Sequence, residues 1–305
     1  MKDSQVAATA NVVPIIEMRR ASSVLADYIE LTKPRLNFLV VATSAAGFYL
    51  GAAGPVDIIH MLCAVAGTAL VAGGAAVLNQ VSERESDALM RRTRLRPLPD
   101  GRVAAGDARM FGLFLSASGV ALLAARTNPR AAALALGTLV VYLMVYTPMK
   151  RRTPLSTLVG ALPGALPALI GWTASHDYVA AGGAALFAIV FLWQIPHFMA
   201  ISWLYRDDYR KAGFPLLTVI DPGGRRAGRQ AVLFAAALLP VAVVPSLIRV
   251  SGAASGVVAV VLGTALLWLA VAFARTRTDE SARRLFFGSI VYLPILWMAM
   301  IVDKL

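Results

Sequence analysis

Cysteine and charge are both scarce in this 305-residue chain: it has one cysteine, and only 15% of its residues are charged, against roughly 25% in a soluble domain. A single thiol excludes an intrachain disulfide framework and a multi-thiolate metal site. Cys63, between Leu62 and Ala64 in an apolar run, reads as a small buried hydrophobe. Acids are scarcer than bases, with 17 Asp and Glu against 29 Lys and Arg and a formal charge of +12. Short segments alternating between polar and apolar residues are missing, which excludes a closed transmembrane barrel. No apolar core of secretory-signal length occurs before Arg20. Apolar residues are what the chain has in abundance: 58% of it is hydrophobic, and its mean hydropathy is +0.68. Apolar stretches near 20 residues recur throughout, so the chain is expected to lie mostly in lipid rather than to divide into soluble domains.

Hydropathy predicts about nine helical spans, at 36–53, 58–78, 110–125, 131–146, 157–174, 179–200, 231–248, 256–274 and 285–302. Gly and Ala crowd several of them, as in Val71-Ala-Gly-Gly-Ala-Ala, and small residues let helix backbones approach closely where no hydrophobic force drives packing. The expected fold class is an all-α polytopic membrane helical bundle. Residues 1–35 form a cytoplasmic N-terminal segment with a short amphipathic helix, and 36–305 form one transmembrane domain. Five Lys and Arg precede the first span; the successive connections then hold none, seven, two, three, none, six, one and four, and one follows the last span. The alternation puts 25 of the 29 on one side. By the positive-inside rule the N-terminus is cytoplasmic and the C-terminus outside. Topology thus accounts for the net charge, and a nucleic-acid partner is not expected.

The chemistry concentrates in connections on the basic side. Asn79, Glu83 and Asp87 are spaced four apart. On a helix continuing from the second span they drift by only about 40° per step and share a face. Hard cations such as Mg²⁺ take oxygen ligands and leave positions for water and phosphate, while the following Arg91, Arg92, Arg94 and Arg96 offer guanidinium forks to phosphate oxygens. The pattern reads as a metal–diphosphate site; the alternative is a charged loop in which Glu83 and Asp87 pair with Arg84 and Arg91. Ionisable groups leaving a membrane helix favour the functional reading. A second loop, Tyr205-Arg206-Asp207-Asp208-Tyr209-Arg210-Lys211, repeats the composition past the sixth span, and Lys150, Arg151 and Arg152 follow the fourth. His197 lies within an apolar span near that face and is either hydrogen-bonded to a neighbouring helix or a haem-contacting or proton-handling group. His60 and His176 read as outer-face residues. Trp172, Trp193, Trp203 and Trp297 lie in or near span ends, where interfacial anchoring is expected.

The block Asn79-x-x-x-Glu83-x-x-x-Asp87-x-x-Met90-x-Arg92-Thr93-x-x-Arg96-Pro97-Leu98 resembles the first motif of the UbiA-type intramembrane prenyltransferases, in the form found in the protohaem IX farnesyltransferase (haem O synthase) branch. Tyr28-x-x-Leu31-Thr32-Lys33-Pro34-Arg35 is similar to that family's opening segment. Tyr146-Thr147-Pro148-x-Lys150-Arg151 is similar to its third loop, and Pro167-x-Leu-Ile-Gly171-Trp172 to its fifth span. Trp193-Gln194-x-Pro196-His197-Phe198 and Asp208-Tyr209-x-x-Ala212-Gly213-x-Pro215 resemble the haem O branch in particular. The chain departs from the family's usual residues at Ser156, Ala168 and Leu216. Ala212 stands where the wider superfamily carries a second acid four residues after Asp208.

The resemblance implies farnesyl diphosphate as donor and haem B as acceptor. The products are haem O and diphosphate, water completing the hydroxyethylfarnesyl group. It implies Mg²⁺ held by the catalytic residues Asn79, Glu83, Asp87 and Asp208, diphosphate binding by Arg92, Arg96, Lys150, Arg151 and Lys211, and haem contacts from His197, Tyr209 and Trp193. A contact with a downstream haem A synthase is a further implication, and the short, acid-containing N-terminus points to a bacterial inner membrane. Two rivals are a prenyltransferase of the same fold acting on an aromatic quinone precursor, and a transporter of an anionic lipid or metabolite; the absence of an evident inverted repeat weighs against the transporter.

Overall fold

The structure, a computed structural model, describes residues 23–305. The rest of the expected N-terminal segment lies outside the described residues. Within them, a short helix α1 (Val24–Leu31) precedes α2 (Pro34–Gly51), α3 (Ile58–Leu89), α4 (Ala105–Arg126) and α5 (Pro129–Val140). A π-helical turn (Val141–Tyr146) and the single turn α6 (Thr147–Met149) extend α5 and complete its crossing. Then come α7 (Ser156–His176), α8 (Ala181–Leu204), the short α9 (Arg206–Lys211) and α10 (Leu217–Ile220), and α11 (Arg225–Leu247), α12 (Ala253–Thr276) and α13 (Asp279–Val302). No strand occurs among the described residues beyond one isolated bridge between Ser251 and Lys304. Eight of the helical segments are long and apolar enough to cross a bilayer. The ninth expected span, α2, has the length but carries Arg35 and Asn37 in its first turns.

The helices form two groups. α2, α3, α4, α5 and α7 share one apolar core, and α8, α11, α12 and α13 pack mainly in a second. Close backbone approach is built into the first: a Cβ on Gly171 would stand 1.9 Å from the Ser44 carbonyl oxygen, and one on Gly47 2.2 Å from that of Ala168. Glycine at these two positions is what lets α2 and α7 touch. Outward faces carry large exposed apolar side chains such as Phe114, Val261, Trp268 and Phe287, the surface a lipid-facing bundle requires.

Two side-chain expectations need correction. Trp172, Trp193, Trp203 and Trp297 are not interfacial anchors: they are 4–6% exposed and lie in the larger core. Trp172 packs over Gly182 and Gly183 and Trp203 over Gly224, so missing glycine side chains make room for the indoles. Cys63 is half-buried rather than buried. All long connections bearing acids and bases leave from one end of the bundle. At the other end, Lys304 Nζ donates to the carbonyls of Tyr49 and Ala52 at 2.7 and 2.8 Å. His176 Nδ1 bonds the Gly51 carbonyl there.

Candidate active site

At 1.5 Å per residue the 32 residues of α3 run about 48 Å, well beyond a hydrocarbon layer of roughly 30 Å. Its last turns therefore leave the apolar zone still helical. Asn79, Glu83 and Asp87 all turn inward there, at 2%, 5% and 2% exposure. Buried carboxylates require compensation. Lys150 Nζ donates to both Glu83 oxygens at 3.1 and 3.0 Å, and Arg96 Nη1 donates to Asp87 Oδ2 at 2.7 Å. Arg84 and Arg91, the alternative partners, are exposed. The loop after α3 folds back because the Thr93 hydroxyl donates to the Asp87 carbonyl at 2.7 Å, which brings Arg96 within reach of its carboxylate. Arg151 Nη2 donates to Ser86 Oγ at 2.5 Å, one turn from Glu83.

The orientation of the Asn79 amide follows from its neighbour. Thr147 Oγ1 uses its hydrogen on the Tyr142 carbonyl at 2.8 Å, so toward Asn79 it can only accept. Asn79 Nδ2 donates to it at 3.2 Å, and Oδ1 turns to the other side, 3.5 Å from Lys33 Nζ. Lys33 sits at φ 50°, a left-handed backbone position between α1 and α2 that swings its side chain under α3. Burial lowers its pKa to about 8, with the Arg96 and Lys150 charges acting in the same direction and Glu83 and Asp87 opposing them. Three oxygen-bearing side chains on one helix face, ringed by Lys33, Arg96, Lys150 and Arg151, make a compact site of alternating sign. Nothing in the local sequence marks Lys33, Thr147 or Ser86 as part of the site. Their parts depend on contacts across 46, 68 and 65 positions.

Other expected residues do not join this cluster. Asp208 lines a separate, more open recess of about 410 Å³ with Arg91, Arg92, Tyr205 and Asp207. No group of three or more His, Cys, Asp or Glu side chains suited to one metal ion occurs among the described residues. Arg92 is exposed with its guanidinium 5.1 Å from the centre of the Tyr205 ring, and Lys211 is exposed. Tyr209 packs edge-on against Phe214, whose ring lies 5.0 Å from Lys150 Nζ, so it stands at the acid–base end.

Lys33, Tyr142 and Tyr146 border both this cluster and a cavity of about 390 Å³ that runs inward between the two helix groups. Its wall is mostly apolar, with Leu36, Val40, Ala72, Leu139 and Ile170, and the helix-breaking Pro163 and Pro167 of α7. The span expected at 131–146 ends in the π-helical turn, where Tyr142 and Tyr146 stack with centroids 5.3 Å apart. Trp193 and His197 line the inner part of the cavity. His197 Nδ1 lies 2.8 Å from Ser289 Oγ on α13, so both geometric elements of its two readings occur: it bonds a neighbouring helix and faces the cavity.

A cluster of paired acids and bases at the mouth of an apolar, membrane-embedded cavity is the arrangement needed to hold a charged head and a hydrocarbon tail together. Residues 40–293 match the UbiA prenyltransferase family. The chain belongs to that family. A protein of Koribacter versatilis named protoheme IX farnesyltransferase is 43% identical over 293 residues, covering 93% of this chain and 94% of its own. One of Opitutus terrae with the same name is 45% identical over 280 residues, covering 92% and 95%. The same fold occurs in solved structures at much lower identity. A digeranylgeranylglyceryl phosphate synthase structure superposes with a TM-score of 0.78 at 17% identity, covering 92% of this chain and 98% of its own. A UbiA homologue from Archaeoglobus fulgidus bound to GPP and Mg²⁺ gives 0.64 at 18%, covering 90% and 99%. The fold expectation therefore holds, including its helical, multi-pass character.

Proposed function

We propose that this chain transfers the farnesyl group of farnesyl diphosphate to a vinyl group of haem B, forming haem O and releasing diphosphate. The observation that carries the reading is the pairing of Glu83 with Lys150 and Asp87 with Arg96 at the mouth of the apolar cavity; the names of relatives 43–45% identical over nearly their whole length select farnesyl and haem as the substrates. The donor set fits a hard cation. Asn79 Oδ1, Glu83 and Asp87 supply oxygens from one face, and two carboxylates leave positions for phosphate oxygens and water. Mg²⁺ bound there would supply Lewis-acid neutralisation of the leaving diphosphate. Asp208, across the open recess, would act on the diphosphate or the second substrate rather than as a ligand of the same ion.

Each acid is neutralised by its own base. Lys150 and Arg96 would exchange these carboxylates for phosphate oxygens of a diphosphate held there, joined by Lys33 and Arg151. These cations stabilise the charge that grows on the leaving group as the allylic C–O bond breaks. The isoprenoid lies in the apolar cavity, where Tyr142 and Tyr146 offer aromatic faces near the ionising end and water is scarce. The haem vinyl carbon attacks the allylic carbon from the side of Trp193 and His197. In the membrane the acid–base end faces the cytoplasm, since its connections hold most of the Lys and Arg.

The experiment is to incubate the purified protein with Mg²⁺, farnesyl diphosphate and either haem B or 4-hydroxybenzoate, and to weigh the products by mass spectrometry. A farnesylated haem with no prenylated benzoate is expected. Prenylation of the benzoate with haem unchanged would overturn the assignment of acceptor.

A further inference from the structure

The polar groups on the inner cavity wall are unequal. The hydroxyls of Thr43, Thr68 and Thr138 each donate to the carbonyl four residues earlier, at 2.7, 2.8 and 2.7 Å, so their hydrogens are committed to their own helices. Gln194 and His197, three residues apart on α8 and so neighbours on its surface, both line the cavity. Gln194 Nε2 donates to the carbonyls of Val190 and Ala161 at 3.1 and 3.3 Å, which leaves Oε1 with no hydrogen bond to the described residues. A Cβ on Gly164 would stand 2.1 Å from that oxygen, so glycine is what gives the carboxamide its place.

The tautomer of His197 is set by Ser289, a fully buried residue of α13. Ser289 Oγ donates to the Phe286 carbonyl at 2.7 Å. Having used its only hydrogen, it must accept from His197 Nδ1, 2.8 Å away. The imidazole proton is therefore on Nδ1. Nε2, on the opposite edge of the ring, keeps a free lone pair and has no hydrogen bond to the described residues. Trp193 and Phe286 both stack on the ring with centroids 5.2 and 5.0 Å away, and Trp193 is itself held by Nε1 donating to the Ser289 carbonyl at 2.7 Å. Helix α13 thus locks both the orientation and the tautomer of the histidine.

Two adjacent acceptors with no free donor beside them suit one small molecule: a water that gives both hydrogens to the wall and points its oxygen lone pair into the cavity. We infer that Gln194 and His197 hold the water that captures the haem-side cation, that His197 Nε2 removes its proton, and that Ser289 is the positioning residue for that base. The inference rests on the haem-vinyl reading of the acceptor. In the transfer, the vinyl electron pair forms a bond to the allylic carbon while the C–O bond breaks with its electrons going to diphosphate. The cation left on the vinyl carbon next to the pyrrole accepts the water's lone pair, and the water's proton passes to Nε2. Without a held water the same cation loses a proton from the adjacent carbon and becomes an alkene, lighter than the hydroxylated product by one water.

The full chain in lipid nanodiscs, supplied with Mg²⁺, farnesyl diphosphate and haem B in ¹⁸O-labelled water, tests this through the ratio of labelled hydroxylated product to alkene. The wild type should give almost wholly hydroxylated, labelled product. Ser289→Ala, which frees the tautomer, and Gln194→Met, which removes the second acceptor at similar volume, should each lower the ratio at least about tenfold, a partial loss of general-base assistance worth about 10²–10⁴-fold in full. A merely structural role would lower total product and leave the ratio unmoved, so an unchanged ratio in both variants overturns the inference while leaving the farnesyl transfer standing. If the wild type makes no farnesylated haem, hydroxylated or not, the haem reading itself fails and the inference with it.

Discussion

Lys33 has an unusual combination for a lysine: a left-handed backbone, a half-buried side chain, and Asn79 Oδ1 at 3.5 Å. A half-buried cation with no ion pair among the described residues is poised for an anion arriving from outside. Lys33→Ala should raise the apparent KM for farnesyl diphosphate by about 10- to 100-fold, the scale of a charge-assisted contact of about 1.5–3 kcal/mol, with the haem dependence unchanged in steady-state assays. Lys150→Ala should do the same and also destabilise the apo protein, because it strands the buried Glu83 charge. Arg92→Ala should cost no more than about 1 kcal/mol, since the guanidinium is exposed over Tyr205; separate titrations of the two substrates rank the three variants. At this scale the acids were legible, because a spacing of four on a helix puts side chains on one face whatever surrounds them. Lys33 was not, because neither its φ nor its distant partner is written in local sequence.

Helix α3 is the element from which the site hangs, and its extension past the membrane was readable from acids recurring at helical spacing after an apolar run. The π-helical turn before Lys150 was not readable. Hydropathy distinguishes apolar from polar residues but does not report a hydrogen bond that skips to the fifth residue. Nor does it report which side of a helix meets a neighbour, which is why the tryptophans near span ends turned out to be core residues. The turn is tied to α3 through one hydroxyl, since Thr147 Oγ1 donates to Tyr142 O and accepts from Asn79 Nδ2. Thr147→Val keeps the shape and removes that link. The buried amide then lacks an acceptor, so thermal unfolding should show a loss of about 1–3 kcal/mol. The Mg²⁺ concentration for half-maximal rate should rise as Asn79 Oδ1 loses its orientation; an unchanged Mg²⁺ requirement would separate the turn from the metal site.

The whole molecule is a bundle whose long charged connections leave from one end, and the alternation of Lys and Arg along the chain predicted an odd number of crossings with those connections on one side. What could not be read was how the two helix groups meet, because the cavity between them depends on close approaches such as Gly164 of α7 against Gln194 of α8. Orientation is testable with one cysteine at each end in a Cys63→Ala background. An impermeant thiol reagent applied to intact cells should label Asp177→Cys, and should label Glu280→Cys only after lysis; both parent side chains are exposed in the structure, at 64% and 74%. The central claim, that the buried acids of α3 and the bases paired with them ionise a prenyl diphosphate, is tested most directly by diphosphate release. The wild type and a Glu83→Gln/Asp87→Asn double variant are compared with farnesyl diphosphate and haem B at saturating Mg²⁺. Release by the wild type should require Mg²⁺, and the double variant should be slower by at least about 10³-fold, the order expected when preorganised charge stabilisation is lost, while its melting profile still shows a folded protein. Near-wild-type release by a folded double variant would contradict the claim.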